Sequence, residues 1–430
     1  MASTLTNLPA DAPLHVGALS IIGTSATRES FLNHVVAGVF DASTSAGVLE
    51  QVKEAANKLQ RHDIFEEIKV YMTASGADAV NVTFDLKEKG KGVLQTTLGV
   101  GENEANVNGT IALRNIFGGA ETAYAKYAFG NRTKAAIEVA AGLPVFGCPD
   151  AKLEAFGKGA IKDYSPVNYY VESSRTAGLR FKTCSPWGQH QLSYALSNRD
   201  ITAQQKSSAT VRAHSGLNTK SSILHSFVND TRDHVTMPTT GKYFALTQEL
   251  AGVAQRGDAS FFKQELAAQI HQPIANGIVL SSGLKLGYLY PLEEGKDINV
   301  SDRFYVGGPL SVRGFRMGGI GARDGNDALG GNVFYAAGVS LTSPIPGATH
   351  LPIKAHAFFN AGNIINKPKN APVNGTIEEL INDSRTAAGV GLVFHHEFAR
   401  IEANFCIPLR FQTGDLPKRG IQIGLGINFL

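Results

Sequence analysis

Residues 401–409, IEANFCIPL, set Ile401, Ala403, Phe405, Ile407 and Leu409 against Glu402, Asn404 and Cys406. Successive side chains of a strand point to opposite faces, so this is one apolar face backed by one polar face. The period returns along the chain. Residues 420–430 alternate Ile421, Ile423, Leu425, Ile427 and Phe429 with Gln422, Gly424, Gly426 and Asn428. Residues 121–129 set Ala123, Ala125, Tyr127 and Phe129 against Thr122, Tyr124 and Lys126. Residues 177–183 set Ala177, Leu179 and Phe181 against Arg180 and Lys182. From about residue 93 no helical period remains, and Gly, Asn, Asp and Pro separate one run from the next.

A soluble sandwich alternates as well. Three features favour a membrane barrel. The apolar face persists through runs of about nine to eleven residues, enough to cross a bilayer at a tilt. The other face is rich in Gly, Ser, Thr, Asn and Gln, as a wet lumen requires. The chain ends on an aromatic strand with no polar tail. The 338 residues after position 92, at about 21 per strand with its connection, make about sixteen strands. They run from 94–102, 106–115 and 121–129 through 385–395, 397–409 and 420–430. The spacing leaves one long connection, 291–331, and a loop of that length needs a purpose.

The N-terminal part reads differently. A tail covers residues 1–13 and a small α+β domain 14–90; the barrel takes 93–430. Residues 14–21 read as a strand. Phe31, Leu32, Val35, Val36 and Val39 form a helical stripe over 27–39, with Thr27 as N-cap. Val48, Leu49, Val52, Ala55, Ala56 and Leu59 form another over 45–61. Two alternating runs follow, 65–72 and 79–87. The order is βααββ, with both helices on one sheet face.

Composition removes other classes. Lys plus Arg number 40 against 37 Asp plus Glu, a net charge of +3, which offers no field for nucleic acid. No apolar run reaches 18 residues, so no transmembrane helix is expected. Residues 1–12 carry neither a cationic start nor an apolar core, so neither a secretory signal nor an Arg-rich presequence is expected. Cys148, Cys184 and Cys406 lie at no metal spacing and read as free structural thiols. The twelve His residues are scattered. His395 and His396 are adjacent and point to opposite faces of a strand, so they cannot share a metal. The chain reads as no enzyme, with no cofactor and no metal. The segment 376–382, TIEELIN, reads as a solvated loop with room for one helical turn.

The long connection contains DRFYVGGPLSVRGF, residues 302–315. Gly307, Gly308 and Gly314 allow backbone conformations closed to other residues. Arg313 is either a solvated loop cation or a fixed fork of donors pinned on a lumen acceptor. Val312-Arg313-Gly314-Phe315, preceded by F-x-x-G-G at 304–308, resembles the signature of the BamA-type superfamily. That resemblance implies POTRA domains ahead of a sixteen-stranded barrel, with this loop folded into the lumen. The βααββ order of residues 14–87 resembles one POTRA domain. A single such domain without a leader, and the stretch 106–133, are similar to the barrel core of the mitochondrial sorting and assembly machinery, the SAM complex. The family usually carries Asp in F-x-D-x-G as partner of the loop Arg. Here the run is Phe358-Phe359-Asn360-Ala361-Gly362, so Asn360 offers a hydrogen bond without charge, and Glu402 or another lumen acid is the substitute.

Gln422-x-Gly424-x-x-Ile427-x-Phe429 fits the family's β-signal. The resemblance implies an insertase that folds β-barrel precursors into the mitochondrial outer membrane, with the POTRA domain in the intermembrane space. A lateral seam would lie between the first and last strands. Leu94, Thr96, Leu98, Gly99, Val100 and Gly101 would accept a precursor's β-signal by strand augmentation. The implied partners are barrel precursors, accessory SAM subunits on the cytosolic face, small Tim chaperones of the intermembrane space and the lipid bilayer. The alternatives are a passive outer-membrane pore and a bacterial or chloroplast relative.

Overall fold

The computed structural model describes residues 9–426, apart from 77, 101–103, 256, 276, 294–296, 348–350, 369–372 and 397–398. At the N-terminus, β1 (His15–Ile22) pairs in parallel with β3 (Ala79–Glu88), and β2 (Phe65–Ala74) pairs antiparallel on its other side. The helices α1 (Glu29–Val36) and α2 (Ser45–Arg61) lie against this sheet. Leu32, Val36, Val48, Val52 and Leu59 from the helices meet Val80, Val82, Phe84 and Leu86 from β3 in one core. The expected helix over 27–39 breaks after Val36, and a 3-10 turn, Ala37–Asp41, carries Val39 into the core.

Thr27 is not the N-cap. That place falls to Arg28, with no side-chain cap. The Glu88 carboxylate, at the end of β3, draws Thr27 away: it accepts from the Thr27 hydroxyl at 2.6 Å and from the backbone N–H groups of Ala26 and Thr27 at 3.0 and 2.8 Å. Burial alone would raise the Glu88 carboxyl. These donors outweigh it and hold the group down at about 2.

The remaining chain forms β4 (Gly92–Val100), β5 (Ala105–Arg114), β6 (Thr122–Gly130), β7 (Thr133–Pro144), β8 (Ala151–Asp163), β9 (Tyr170–Ser185), β10 (Gly188–Ala203), β11 (Gly216–Asp230), β12 (Gly241–Ala251), β13 (Phe261–Ala275) and β14 (Ile278–Pro291). After the long loop, which holds the short strands β15 (Arg323–Asp324) and β16 (Asp327–Ala328), come β17 (Val333–Pro344), β18 (Ile353–Ile365), β19 (Arg385–His396), β20 (Ala399–Arg410) and β21 (Gly420–Gly426). From β4 to β21 they build one 16-stranded antiparallel sheet in chain order, with β14 joined directly to β17.

The apolar face of this sheet is the outer one. Ile421 is 70% exposed and Phe405 47%, whereas Gln422 and Asn404 are 4% and 1% exposed. A soluble sandwich would have the reverse, so the alternation describes a barrel that wears its hydrophobic side outward, toward lipid. Closure around a lumen follows from the loop, which touches inner-face side chains of β10 and of β20. All sixteen expected runs are strands, with ends shifted by a few residues. The segment expected as a solvated loop is a helix, α3 (Val373–Asn382). Leu380 is buried, and the Asn363 amide donates to the carbonyls of Glu379 and Leu380.

Candidate functional site

The loop enters the lumen from the end opposite the N-terminal domain. Phe304, Val306, Val312, Phe315 and Ile320 pack with Phe334, Ala336, Ile364 and Ala387 of the wall. Gly307 and Gly314 have φ of +108° and +83°, where a side chain is strained. A Cβ at Gly314 would also stand 2.9 Å from that of Ala387.

Arg313 is fully buried. Its Nε and Nη2 donate to Glu402 Oε2 at 3.1 and 2.8 Å, and its guanidinium lies 5.1 Å from the Phe358 ring centre. Asn360, the residue expected as its partner, accepts from Nη1 only at 3.4 Å. The charge is supplied by β20. Glu402 also accepts from Arg400 Nε at 2.7 Å and from Asn404 Nδ2 at 2.9 Å, so one carboxylate serves two guanidinium groups. Breaking a buried pair by removing one member costs about 3–5 kcal/mol.

The last strand takes part as well. Gln422 Oε1 accepts from the Gly314 N–H at 3.0 Å, and Gln422 Nε2 donates to the Phe315 carbonyl at 2.8 Å. Gly424 and Gly426 leave room for Leu310: a Cβ at Gly426 would meet Leu310 Cδ1 at 2.0 Å. The close approach of the loop gives these glycines a steric reason. The connection 411–419 adds three backbone bonds to the loop. Arg316 N–H donates to Leu416 O at 3.0 Å, Leu416 N–H to Gly319 O at 2.7 Å, and Lys418 N–H to Gly314 O at 2.7 Å. Ile427 and Phe429 lie outside the described residues.

At the other end of the sheet, β4 pairs on one side only among the described residues. β4 pairs with β5 from Gly92 opposite Leu113 to Val100 opposite Ala105, which places Leu98 and Gly99 against Val107 and Asn106. Among the described residues no ladder joins β4 to β21. Leu94 is 79% exposed, and Gln95, Thr96 and Thr97 are exposed too. Gly101 lies outside the described residues.

Two further contacts were not legible in the sequence. On the N-terminal-domain side, the connection 231–240 spans the lumen mouth. Thr236 Oγ1 lies 2.9 Å from Nδ1 of His395 on β19, and residues 236–238 are buried. The N-terminal domain docks on the turns of the first strands. Arg28 pairs with Glu121 at 2.7 Å, Asn115 donates to Thr27 at 2.8 Å, and His62 Nε2 lies 3.1 Å from Gly147 O. Burial pushes His62 down to about 4, against the Gly147 bond, and Lys152 and Arg61 add to the lowering.

Residues 114–429 match the Omp85 superfamily domain. The chain belongs to the Omp85 superfamily. Within it, a SAM50-like protein of Schizosaccharomyces pombe is 31% identical over 97% of this chain and 91% of its own length. The sorting and assembly machinery component 50 homolog of Homo sapiens is 30% identical over 95% of this chain and 89% of its own. BamA from Haemophilus ducreyi lacking POTRA domains 1-3 superposes with a TM-score of 0.76, covering 96% of this chain and 84% of that one. At 16% identity that likeness is one of fold. The Omp85 match runs from the end of β5 through the last strand, so it includes the loop lock and Glu402.

Proposed function

We propose that this chain is a β-barrel assembly factor that inserts barrel precursors into the mitochondrial outer membrane. The observation that carries the reading is the pairing of a bare first strand with a last strand held by the chain's own loop. An unpaired strand in lipid leaves N–H and C=O groups unsatisfied. An edge such as β4 offers them partners, and a precursor's last strand would add to it by main-chain hydrogen bonds. Leu94, Thr96, Leu98 and Val100 would set the lipid-facing register. The β-signal of this chain, Gln422 to Phe429, would have served its own insertion and then become the loop's seat. Residues 14–90 would act as a POTRA domain in the intermembrane space, receiving precursors from small Tim chaperones. Accessory SAM subunits would cover the cytosolic ends.

A passive pore would use the same barrel. It gives no role to the buried lock, and a lumen occupied by the loop and crossed by residues 231–240 is a poor conduit. The test is reconstitution of the full chain in liposomes with a labelled barrel precursor, read as protease-protected, heat-modifiable product. The reading expects product with wild type and little with Arg313→Ala. Ion conductance without any insertion, also after SAM partner subunits are added, would favour the pore.

A further inference from the structure

The loop has a second ionic anchor, of opposite charge and on the opposite wall. Asp302 is 4% exposed. Its carboxylate accepts both arms of the Arg199 fork on β10, Nη1 at 2.8 Å and Nη2 at 2.9 Å. Lys220 on β11 donates to Oδ1 at 3.1 Å, and Lys263 on β13 donates to the Asp302 carbonyl at 2.9 Å. Burial works to raise the Asp302 carboxyl, but Lys220 and Arg199 overcome it and hold it down at about 2. A bidentate Arg–carboxylate contact fixes orientation as well as distance.

The positions matter as much as the strength. Asp302 holds to β10 and Arg313 to β20, eight places apart in the order of the 16-stranded sheet. Eight of sixteen is half the ring, so the anchors stand on facing walls. At one the loop brings an acid to Arg199 and Lys220; at the other it brings a base to Glu402, which Arg400 of the wall also holds. A loop reversed or slipped would set like charges together, so the two anchors specify one placement as well as adding stability.

We propose that Asp302 is a positioning residue, which with Arg199 and Lys220 sets where Leu310, Arg313 and Gly314 meet the last strands. Between the anchors the chain turns at Gly307 and Gly308, both at positive φ. The ion pairs at its two ends fix the register of that segment against the wall. The effect on insertion rests on the function proposed above; the seating of the loop does not.

A natural thiol reports the seating. Cys406 is fully buried on the inner face of β20, and a Cβ at Gly314 would lie 3.6 Å from its Cβ. Cys148 and Cys184 are exposed and can be replaced by Ser. The experiment measures maleimide labelling of Cys406 in the folded Cys148→Ser/Cys184→Ser chain, with the heat shift on gels confirming the barrel. Asp302→Asn is expected to speed labelling about tenfold or more by local release of the loop. Asp302→Glu, which keeps the carboxylate facing Arg199 and Lys220, should label closer to the wild-type rate than Asp302→Asn. If Asp302→Asn does not fold, Lys220→Gln, which leaves the Arg199 fork intact, should speed labelling by about threefold. Labelling at the wild-type rate in Asp302→Asn, or in Lys220→Gln where that variant stands in, while Arg313→Ala labels fast, overturns the proposal. So does Asp302→Glu labelling as fast as Asp302→Asn. Fast labelling with normal precursor insertion keeps the proposal and counts against the loop's part in insertion.

Discussion

The two ends of the large sheet are strands of the same kind with opposite surroundings. β21 has its inner face covered: Gln422 binds the loop backbone, and Leu310 lies over Gly424 and Gly426. β4 has Leu94, Gln95, Thr96 and Thr97 exposed. An edge strand is a template for another chain unless something covers it. The fold has covered the inner face of one end strand and left that of the other open, while among the described residues neither β4 nor β21 has a ladder on its free edge.

The largest effect expected from disturbing this contrast is at Glu402. Glu402→Gln takes the carboxylate away from two buried guanidinium groups, Arg313 and Arg400, whereas Arg313→Ala leaves Glu402 still paired with Arg400. Thermal unfolding should therefore rank Glu402→Gln below Arg313→Ala, each by about 3–5 kcal/mol or more relative to wild type. Equal or reversed ranking would mean that Arg313 and Glu402 do not share this cluster.

A smaller effect is expected at the covered edge. In Gly426→Ala the new methyl meets the far end of the Leu310 side chain, and overpacking of this kind costs about 1–3 kcal/mol. Leu310→Ala combined with it should recover part of the loss, measured as a double-mutant cycle. Strict additivity would break the claim that this glycine is there to admit the loop.

The smallest effect concerns the docked domain. His62 titrates at about 4 in the fold and 6.5 as its reference. Its folded value is depressed, so the unfolded or undocked state takes the proton first, and stability falls as pH drops from 6.5 toward 4. Glu88 is also depressed, from 4.5 to about 2. Its contribution is full above 4.5 and lost as pH falls through 2. Hydrogen-exchange protection at residues 145–150, corrected for the intrinsic rate at each pH, should fall between pH 7 and pH 5 in wild type and less in His62→Gln. An identical fall in both would remove His62 from the docking.

Much of this was legible because strand alternation survives inspection: Phe405 outward and Asn404 inward could be read directly from residues 401–409. The motif at 312–315 marked the loop. The partner of Arg313 was harder. Asn360 sits at the family's motif position, but Glu402 stands two strands further along the sheet, and local patterning does not rank lumen acids by distance. Asp302 lies inside the quoted motif, but its partners Arg199 and Lys220 stand 103 and 82 residues away in the chain. Thr27 looked like a cap because its competitor, Glu88, is remote in sequence. These contacts are long-range and polar, and no periodicity encodes them.

The most direct test is a disulfide scan between single Cys at positions 94, 96, 98 and 100 and Cys placed along the last strand of a stalled barrel precursor, with a parallel scan from 421, 423 and 425. The account predicts crosslinks to β4 that follow one register in steps of two, and weaker crosslinks without register at β21. Register-specific crosslinks at β21 with none at β4 would contradict it.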